Sequence, residues 1–348
     1  MELSTLLPKK LLPWYDREKR SMPWRSDPTP YHVWVSEIML QQTRVEAVRE
    51  YYSRFMKALP DVYALANADE ETLLKLWEGL GYYRRVYNLQ KAAQIIVHEF
   101  QGEIPKEYHL LRALPGIGDY TAGAISSIAF QKPKAAVDGN VLRVIMRLLG
   151  DYRDISSQSL KKEVSKALEA IYPKNRCGDF TQSLMELGAM VCLPNGAPKC
   201  EVCPLSAHCI AHLQQITDEL PVKPEKKKRK IQKLDVLILR YQDKIALEKR
   251  TEAGLLHGLW QLPNLSADNT TDHISNYLKT QEINYTSIAP VGKAKHIFTH
   301  IEWQMTAYVV TCTNQNQSFC WVTANEQKEN YSLPSAFQHF SKYWINLV

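Results

Sequence analysis

The feature that most constrains this chain is a short basic segment that separates two different hydrophobic patterns. The segment PVKPEKKKRKIQK (221–233) contains two prolines, no aromatic residue and seven basic residues against one acidic residue. Because such a composition cannot bury a core, it predicts an exposed linker. We therefore expect one domain at 1–220, a basic linker at 221–233 and a smaller domain at 234–348.

The hydrophobic spacing predicts a mainly α fold before the linker and an α+β fold after it. Apolar residues at spacings of three and four predict helices before the linker, at 70–80, 87–100, 120–130, 140–149 and 160–172. Short segments rich in branched and aromatic residues predict strands after it, at 234–240, 244–250 and 303–311. Two helices are predicted in the same domain, at 271–280 and 335–345. We expect its sheet to be mainly antiparallel.

Composition and charge exclude several classes of protein. The 348 residues are 45% apolar and 23% charged, which is typical of folded chains rather than disordered or fibrous ones. No run approaches the roughly 18 consecutive apolar residues of a membrane helix, and the start MELSTLLPKKLLPW lacks the pattern of a signal peptide. The net charge of +6 equals that of the linker alone, so it says little about the partners of either domain.

Four of the seven cysteines form a compact cluster in the sequence. They are spaced C-x7-C-x2-C-x5-C, at Cys192, Cys200, Cys203 and Cys209. Four thiolates this close would repel one another and oxidise unless a metal held them, so we expect a metal centre. Zinc sites more often show two separate C-x2-C pairs. We interpret the other three cysteines as structural, namely Cys177, Cys312 and Cys320.

A glycine hairpin is the first motif that indicates a ligand. The sequence LPGIGDYTAG (114–123) places Gly116 and Gly118 directly before a predicted helix. Free backbone N–H groups and the helix dipole would converge there, which is typical of a phosphate site. A tight turn between two helices gives the same pattern, and Asp119 would repel a phosphate unless its side chain pointed away.

A second motif changes the interpretation of the first. The sequence VDGNVLRVIMR (137–147) places Asp138 before a glycine and a helix start, where it could simply be a helix cap. Together with the hairpin element at about 110–130, it resembles the catalytic loop of the endonuclease III superfamily of helix-hairpin-helix DNA glycosylases. The resemblance implies that Asp138 stabilises positive charge on the deoxyribose as a base departs. It also implies one [4Fe–4S] cluster per chain in the loop 192–209, although the family has six residues between the first two cysteines and this chain has seven.

Two positions distinguish the subfamilies. Bifunctional members carry a Schiff-base lysine at the position of Tyr120, so we expect no lyase step through that residue. The string VWVSEIMLQQTRV (33–45) resembles the adenine DNA glycosylase family, which removes adenine mispaired with 8-oxoguanine. The resemblance implies that Glu37 protonates N7 of a flipped adenine and then helps to position water, while Asp138 stays ionised. It also implies that Tyr120 and Asn140 line this site.

The same resemblance assigns further residues to DNA recognition. Gln42 and Tyr82 would wedge beside 8-oxoguanine, and four residues would surround the adenine, namely Arg20, Trp24, Arg25 and Gln182. Arg84 and Arg85 are candidates for phosphate contacts. Each of these residues also has a plain interpretation as a surface or packing residue.

The second domain resembles the Nudix-fold domain found at the end of these enzymes. Within KAKHIFTHIEW (293–303), Phe298, Thr299 and His300 resemble the family's Phe-Ser-His loop that senses 8-oxoguanine, although an ordinary alternating strand gives a similar pattern. Nucleotide hydrolysis needs clustered glutamates on one helix to hold Mg²⁺. Here the acidic residues are scattered, at Glu252, Asp268, Asp272 and Glu282, so we do not expect it.

Two alternatives to an adenine glycosylase remain at this point. One is an endonuclease III-like pyrimidine-lesion glycosylase with lyase activity, and the other is a non-catalytic protein that binds DNA damage. The expected partner is duplex DNA with an A:8-oxoguanine or A:G mispair, and the resemblance adds sliding clamps and other repair proteins. We expect a monomer that does not bind membranes and resides in a bacterial cytoplasm. KKKRK (226–230) also matches a nuclear localisation pattern, but a linker that touches DNA phosphates is the favoured interpretation.

Overall fold

The order of helices and strands agrees with the predicted change of fold along the chain. The computed structural model describes residues 1–224, 228–251, 254–267 and 271–345. In these ranges helices dominate up to residue 213, and the first strand begins at Lys230. The last residues of the predicted linker are therefore strand, while residues 225–227, which include the first two lysines of KKKRK (226–230), lie outside the described residues.

The helical part contains thirteen α-helices within the described residues. In chain order they are α1 (Leu6–Glu18), α2 (Pro23–Ser26), α3 (Pro30–Leu40), α4 (Val45–Ala58), α5 (Val62–Asn67), α6 (Glu70–Trp77), α7 (Arg84–Phe100), α8 (Tyr108–Ala113), α9 (Asp119–Ala124), α10 (Gly139–Leu149), α11 (Gln158–Glu169), α12 (Cys177–Met190) and α13 (Ile210–Leu213). A π-helical turn, Ile125–Ala129, extends α9. Five predicted helices thus exist, with boundaries shifted by a few residues.

The chain divides into two compact units whose boundary differs from the linker. Unit 1 comprises Met1–Asn67 and Arg84–Glu225, and unit 2 comprises Ala68–Tyr83 and Lys226–Val348. Helix α6 therefore belongs with the strands rather than with the other helices. Within unit 2, the Leu333 backbone N–H donates to Oε1 of Glu78 at 2.8 Å, just after α6. Sequence pattern alone had included this segment in the helical domain.

Unit 1 is held by an apolar core to which α1, α10, α11 and α12 contribute. Trp14, Ile145, Leu168 and Phe180 are among its buried side chains. Helix α10 begins at a side-chain cap, because Oδ1 of Asp138 accepts the Val141 backbone N–H, and it ends at Gly150, whose φ of 62° is left-handed. These two end signals fix where α10 starts and stops. No helix in the described ranges is long and apolar enough to cross a membrane.

The sheet of unit 2 is mainly antiparallel, as the sequence predicted, and one parallel pair makes it a mixed sheet. Its strands are β1 (Lys230–Tyr241), β2 (Lys244–Lys249), β3 (Trp260–Gln261), β4 (Asn264–Ser266), β5 (Tyr285–Ile297), β6 (Ile301–Cys312) and β7 (Cys320–Thr323). The order is β3-β2-β1-β6-β5, with β4 beside β1 and β7 beside β2. The central pair of β1 and β6 is parallel, with Lys230 opposite Ile301, and the other pairs are antiparallel.

Each face of the sheet packs against a different segment of unit 2. One face carries Trp303 and Met305 and packs against the 3₁₀ helix Ser335–Tyr343, where a helix was predicted at 335–345. The other face packs against helix α14 (Thr271–Thr280). A further helix of unit 2, α15 (Ala324–Asn330), was not predicted and begins at a capping box of Thr323 and Glu326. Glu252 and Asp268, two of the scattered acidic residues, lie outside the described residues.

Candidate active site

A buried carboxylate on α3 is the first component of the candidate site. Glu37 is only 5% exposed and lies on a helix that is buried along most of its length. The Tyr120 hydroxyl donates a 2.7 Å hydrogen bond to its Oε2 atom. Burial raises the pKa of Glu37 from 4.5 to about 7, and the Tyr120 bond opposes only part of that rise. This carboxyl group can therefore hold or release a proton near neutral pH.

A second carboxylate lies at the start of α10. Asp138 accepts the Val141 backbone N–H on Oδ1 at 2.7 Å and the Asn140 side-chain amide on Oδ2 at 2.9 Å. Burial raises the pKa of Asp138, while these donors favour its ionised form. The plain interpretation of Asp138 as a helix cap is therefore correct as geometry. It does not exclude chemistry, because the same carboxylate also lines the pocket that contains Glu37.

One small pocket in unit 1 brings eight of the sequence-predicted site residues together. Its volume is about 180 Å³. The predicted residues that line it are Arg20, Trp24, Arg25, Glu37, Tyr120, Asp138, Asn140 and Gln182. Trp24 also packs edge to face against Tyr52 with the ring centroids 5.4 Å apart, so its core-packing interpretation holds as well. The sequence motifs, though far apart in the chain, thus converge on a single cavity.

The same pocket contains an acidic residue that the sequence did not indicate. Glu186, on α12, is 2% exposed and accepts hydrogen bonds from Arg20 at 2.8 Å and from Arg25 at 2.9 Å. Burial alone would raise its pKa, but the two arginines outweigh that effect and lower it. Glu186 therefore fixes both arginines at the pocket wall. A lone glutamate in the otherwise apolar string SLMELGAM was the signal that could have revealed it.

A larger cleft of about 960 Å³ opens beside this pocket and shares Glu37, Tyr120 and Asp138 with it. The hairpin residues Gly116 and Gly118 line the cleft, as does Gln42. Gly116 has a left-handed φ of 77°, and a Cβ there would lie 2.8 Å from the Cβ of Asn88, so this turn needs glycine. The N-terminus of α9, which follows Gly118, therefore lies at the cleft.

The charge of Asp119 is directed to a partner within the hairpin element. Its carboxylate accepts hydrogen bonds from Arg112 and from the Tyr108 hydroxyl.

Arg85, in contrast, does not fit its predicted role in phosphate binding. Its guanidinium donates to the backbone carbonyls of Ile38 and Met39 at 2.9 Å, at the end of α3, and is engaged there.

Hydrogen bonds connect the second carboxylate to the cysteine loop. The Asn140 side chain donates to Asp138 and accepts from Arg143 Nη2 at 2.8 Å. Arg143 Nε in turn donates to the Cys192 carbonyl at 2.8 Å, and Arg147 Nη1 lies 3.3 Å from Cys192 Sγ. Both arginines are buried on α10. They brace the loop from behind while Asn140 orients the carboxylate.

The four clustered cysteines line one common cavity, together with Arg147 and His212. Each of them is a free thiol. Burial raises the pKa of Cys203 to about 11, and the neighbouring thiols add to that rise, so these groups suit a site where a cation favours the thiolates. Within the described residues, no three His, Cys, Asp or Glu side chains are grouped around a single ion position. A four-iron cluster needs a wider arrangement, because each thiolate binds a different iron.

In unit 2, the structure brings Tyr82 and the loop at 298–300 together. The Tyr82 hydroxyl lies 3.2 Å from the Thr299 hydroxyl, and Tyr82 is 47% exposed. Phe298 packs edge to face against Trp303 and His296, while Thr299 and His300 are exposed. The Phe298 backbone N–H donates to the Ile301 carbonyl, so this segment is a tight turn between β5 and β6 rather than a continuous strand.

Comparisons with known proteins agree with this fold and site. Residues 35–174 match the family described as HhH-GPD superfamily base excision DNA repair protein, and residues 235–343 match the NUDIX domain. The fold and the paired carboxylates therefore define a base excision repair protein of the helix-hairpin-helix class with a Nudix domain, as the sequence predicted.

Sequence relatives narrow this class to one family. The adenine DNA glycosylase of Buchnera aphidicola subsp. Schizaphis graminum is 36% identical to this chain, over 79% of the chain and 78% of that protein. The adenine DNA glycosylase of Buchnera aphidicola subsp. Baizongia pistaciae is 33% identical over 91% of both proteins. This chain belongs to the adenine DNA glycosylase family and is a DNA N-glycosylase. The structure of a thermostable thymine-DNA glycosylase is also similar, with a TM-score of 0.55, 27% identity, and coverage of 60% of this chain and 96% of that one.

Proposed function

We propose that this glycosylase removes adenine opposite 8-oxoguanine or guanine in duplex DNA and leaves an abasic site. The observation that carries the proposal is the small pocket in which Glu37, Asp138 and Tyr120 meet beside a much larger open cleft. A base that has been flipped out needs an enclosed pocket, whereas the duplex that it leaves needs an open surface.

Glu37 is the general acid in this proposal. With its pKa raised to about 7 by burial, the carboxyl group is about half protonated near neutral pH. Tyr120 donates to Oε2, which leaves Oε1 to carry the proton to N7 of adenine. Protonation turns adenine into a neutral leaving group. The resulting carboxylate then helps to position the water that attacks the sugar.

Asp138 stabilises the positive charge that develops on the deoxyribose, electrostatically or by a transient covalent bond. The two hydrogen bonds that it accepts, from Val141 N–H and Asn140, support an ionised side chain at this point. Two carboxylates with divided roles follow the logic of glycosidases, in which one is an acid and the other an anion. Because Tyr120 stands where a lyase would need an amine, the enzyme is monofunctional.

Recognition of the two bases is divided between two groups of residues. Arg20, Trp24, Arg25 and Gln182 surround the adenine, and their shared pocket supports this assignment. Gln42 and Tyr82 wedge beside the 8-oxoguanine, which Phe298, Thr299 and His300 sense. The hydrogen bond between Tyr82 and Thr299 supports their common role. Backbone N–H groups near Gly116 and Gly118 bind a DNA phosphate.

One [4Fe–4S] cluster per chain is held by Cys192, Cys200, Cys203 and Cys209. The common cavity of the four thiols supports this assignment, including Cys192, despite the extra residue before Cys200. When bound, the cluster would cross-link the loop 192–209 and hold it in one conformation. Iron and acid-labile sulfide measured per chain test the assignment, and Cys203→Ser should lower both together. Iron without sulfide would contradict it.

The remaining assignments are proposals of the same kind. The enzyme acts as a monomer, and sliding clamps or other repair proteins are its further partners. The basic linker touches DNA phosphates. The enzyme resides in a bacterial cytoplasm, or in a nucleus if the source is eukaryotic.

Single-turnover cleavage of labelled duplexes tests the function directly. The substrates carry A:8-oxoguanine, A:G, A:T and an oxidised pyrimidine, each in the same sequence. We expect adenine release from the first two and none from A:T or from the pyrimidine lesion. Release of the pyrimidine with strand cleavage, and a borohydride-trapped adduct, would favour a lyase of the endonuclease III type. Tight binding to A:8-oxoguanine without any release would favour a non-catalytic damage-binding protein.

A further inference from the structure

Helix α11 presents a polar face to the large cleft of unit 1. The α11 residues that line the cleft recur at helical spacing and are Gln158, Lys161, Lys162, Ser165, Lys166 and Glu169. The opposite face, with Leu160, Val164 and Leu168, is buried in the core of unit 1. Because the buried face anchors the helix, the lysines on the other face are held at fixed positions along the cleft.

In the described residues, the positive charges of the three α11 lysines, Lys161, Lys162 and Lys166, are not paired with carboxylates. The two surface carboxylates that line the same cleft are already paired, since Glu169 bonds Lys134 at 3.2 Å and Asp119 bonds Arg112. The net effect is a positive wall on one side of the cleft.

The glycine hairpin, Glu37 and Asp138 line the same cleft as these lysines. Gly118 precedes α9, so free backbone N–H groups there also attract anions. A chain of phosphates is the ligand that suits this arrangement, because it presents negative charge at regular intervals along an extended path.

We propose that Lys161, Lys162 and Lys166 bind phosphates of the DNA backbone, as a second phosphate-binding element in the same cleft as the hairpin. This inference rests on the proposed function, in which the base enters the pocket from the same cleft. Bound to both elements, the backbone is held while one nucleotide rotates out of the stack. The lysines do not contact the reacting atoms, so they contribute to binding rather than to the chemical step.

The dependence of DNA affinity on salt measures this contribution. The variant Lys161→Gln/Lys162→Gln/Lys166→Gln keeps helix-forming residues on an exposed face, so it should fold. Each phosphate contact contributes about 0.9 to the slope of log affinity against log salt, so the triple variant should lose about 2.7. Between about 50 and 200 mM salt its affinity should therefore fall about 40-fold less than that of the native protein. Fluorescence anisotropy on an undamaged duplex provides the readout.

A matched control distinguishes direct phosphate contacts by the α11 lysines from a general effect of lower net charge. Lys9, Lys10 and Lys57 are exposed lysines of unit 1 that do not line the cleft, and their triple Gln variant changes the net charge equally. We expect the control to keep the native slope, and the triple Arg variant of the α11 lysines to keep it as well. An unchanged slope in the α11 Gln variant, or the same loss in the control, would overturn the proposal.

The salt-dependence experiment on the α11 lysines and the adenine-release test of the proposed function can fail independently of each other. Adenine release by the Lys9→Gln/Lys10→Gln/Lys57→Gln control, measured at enzyme concentrations that saturate the DNA, should equal that of the native enzyme. If the native enzyme released no adenine, the proposed substrate would be wrong, yet the slope on undamaged duplex would still decide the role of the α11 lysines.

Discussion

The pocket of unit 1 that we propose for catalysis and the turn of unit 2 at 298–300 that we propose for recognition differ in their exposure to solvent. Glu37 is almost wholly buried, and that burial gives its carboxyl group a pKa of about 7. Tyr82, Thr299 and His300 are exposed, and the Tyr82 and Thr299 hydroxyls are hydrogen-bonded to each other. Proton transfer needs a group removed from water, whereas damage sensing needs groups that reach a base inside a duplex. In the proposed mechanism, the enzyme thus places its catalytic residues in a buried pocket and its damage-sensing residues on the surface.

Glu37→Gln is the substitution with the largest expected effect, and it should change catalysis without changing recognition. Loss of the general acid should slow adenine release by about 10²- to 10⁴-fold, because glutamine cannot donate the proton to N7. Affinity for the A:8-oxoguanine duplex should remain near native, since the recognition turn is untouched. Single-turnover rates and equilibrium binding provide the two readouts. A variant that retained native rates would assign the acid to another residue.

The same variant should be more stable than the native enzyme at high pH. Burial raises the pKa of Glu37 above its unfolded value, so its stabilisation is present below pH 4.5 and is lost as pH rises toward 7. Above pH 7 the buried charge should cost about 3 kcal/mol, which glutamine avoids. Denaturant unfolding at several pH values should show a gap between the two proteins that widens with pH. A gap independent of pH would mean that Glu37 is not ionised there.

The rate of adenine release should itself depend on pH through Glu37. Above pH 7 the acid form is depleted, so the rate should fall about tenfold per pH unit. Binding through the exposed turn should change little over the same range. Single-turnover rates at saturating enzyme, across a series of buffers, test this expectation. A rate that rises through pH 7 would indicate a base rather than an acid.

The smallest expected effect belongs to the exposed turn. Tyr82→Phe removes the hydroxyl that bonds Thr299, and one such hydrogen bond is worth about 1 kcal/mol, or about fivefold. We expect that loss in the preference for A:8-oxoguanine over A:G, with little change in the rate on A:G. Tyr63→Phe is a matched control, because Tyr63 is 49% exposed and its hydroxyl donates to the Gln101 carbonyl in unit 1. An equal effect of both variants would remove Tyr82 from damage sensing.

Local sequence patterns were sufficient for elements that nearby residues determine. The start of α10 at Asp138 and its end at Gly150 follow from capping chemistry within a few positions. The convergence of distant motifs on one pocket followed only from resemblance to a family, because spacing along the chain does not report distance in space. Glu186 escaped notice for the same reason, since its role depends on two arginines more than 160 positions earlier.

The structural features that the sequence did not predict depend on contacts between residues that are far apart in the chain. Strand β5 contains Pro290 and Gly292, which weaken a strand pattern, and its pairing with β6 shifts register there. The membership of α6 in unit 2 could not be read locally, because its apolar spacing is that of any amphipathic helix. Arg85 was assigned to phosphate, whereas it binds the carbonyls that end α3. An arginine's partner is decided by the fold around it.

The membership of 68–83 in unit 2 bears on how the protein is synthesised. A ribosome delivers α6, with Leu73, Leu74 and Trp77, long before it delivers the strands that share its unit. While unit 1 folds, the apolar side chains of this helix remain exposed and can bind chaperones. A truncated chain that ends in the linker would keep Glu37 and Asp138 but would expose these apolar side chains permanently. Clearance of such fragments by proteolysis would then begin at this helix.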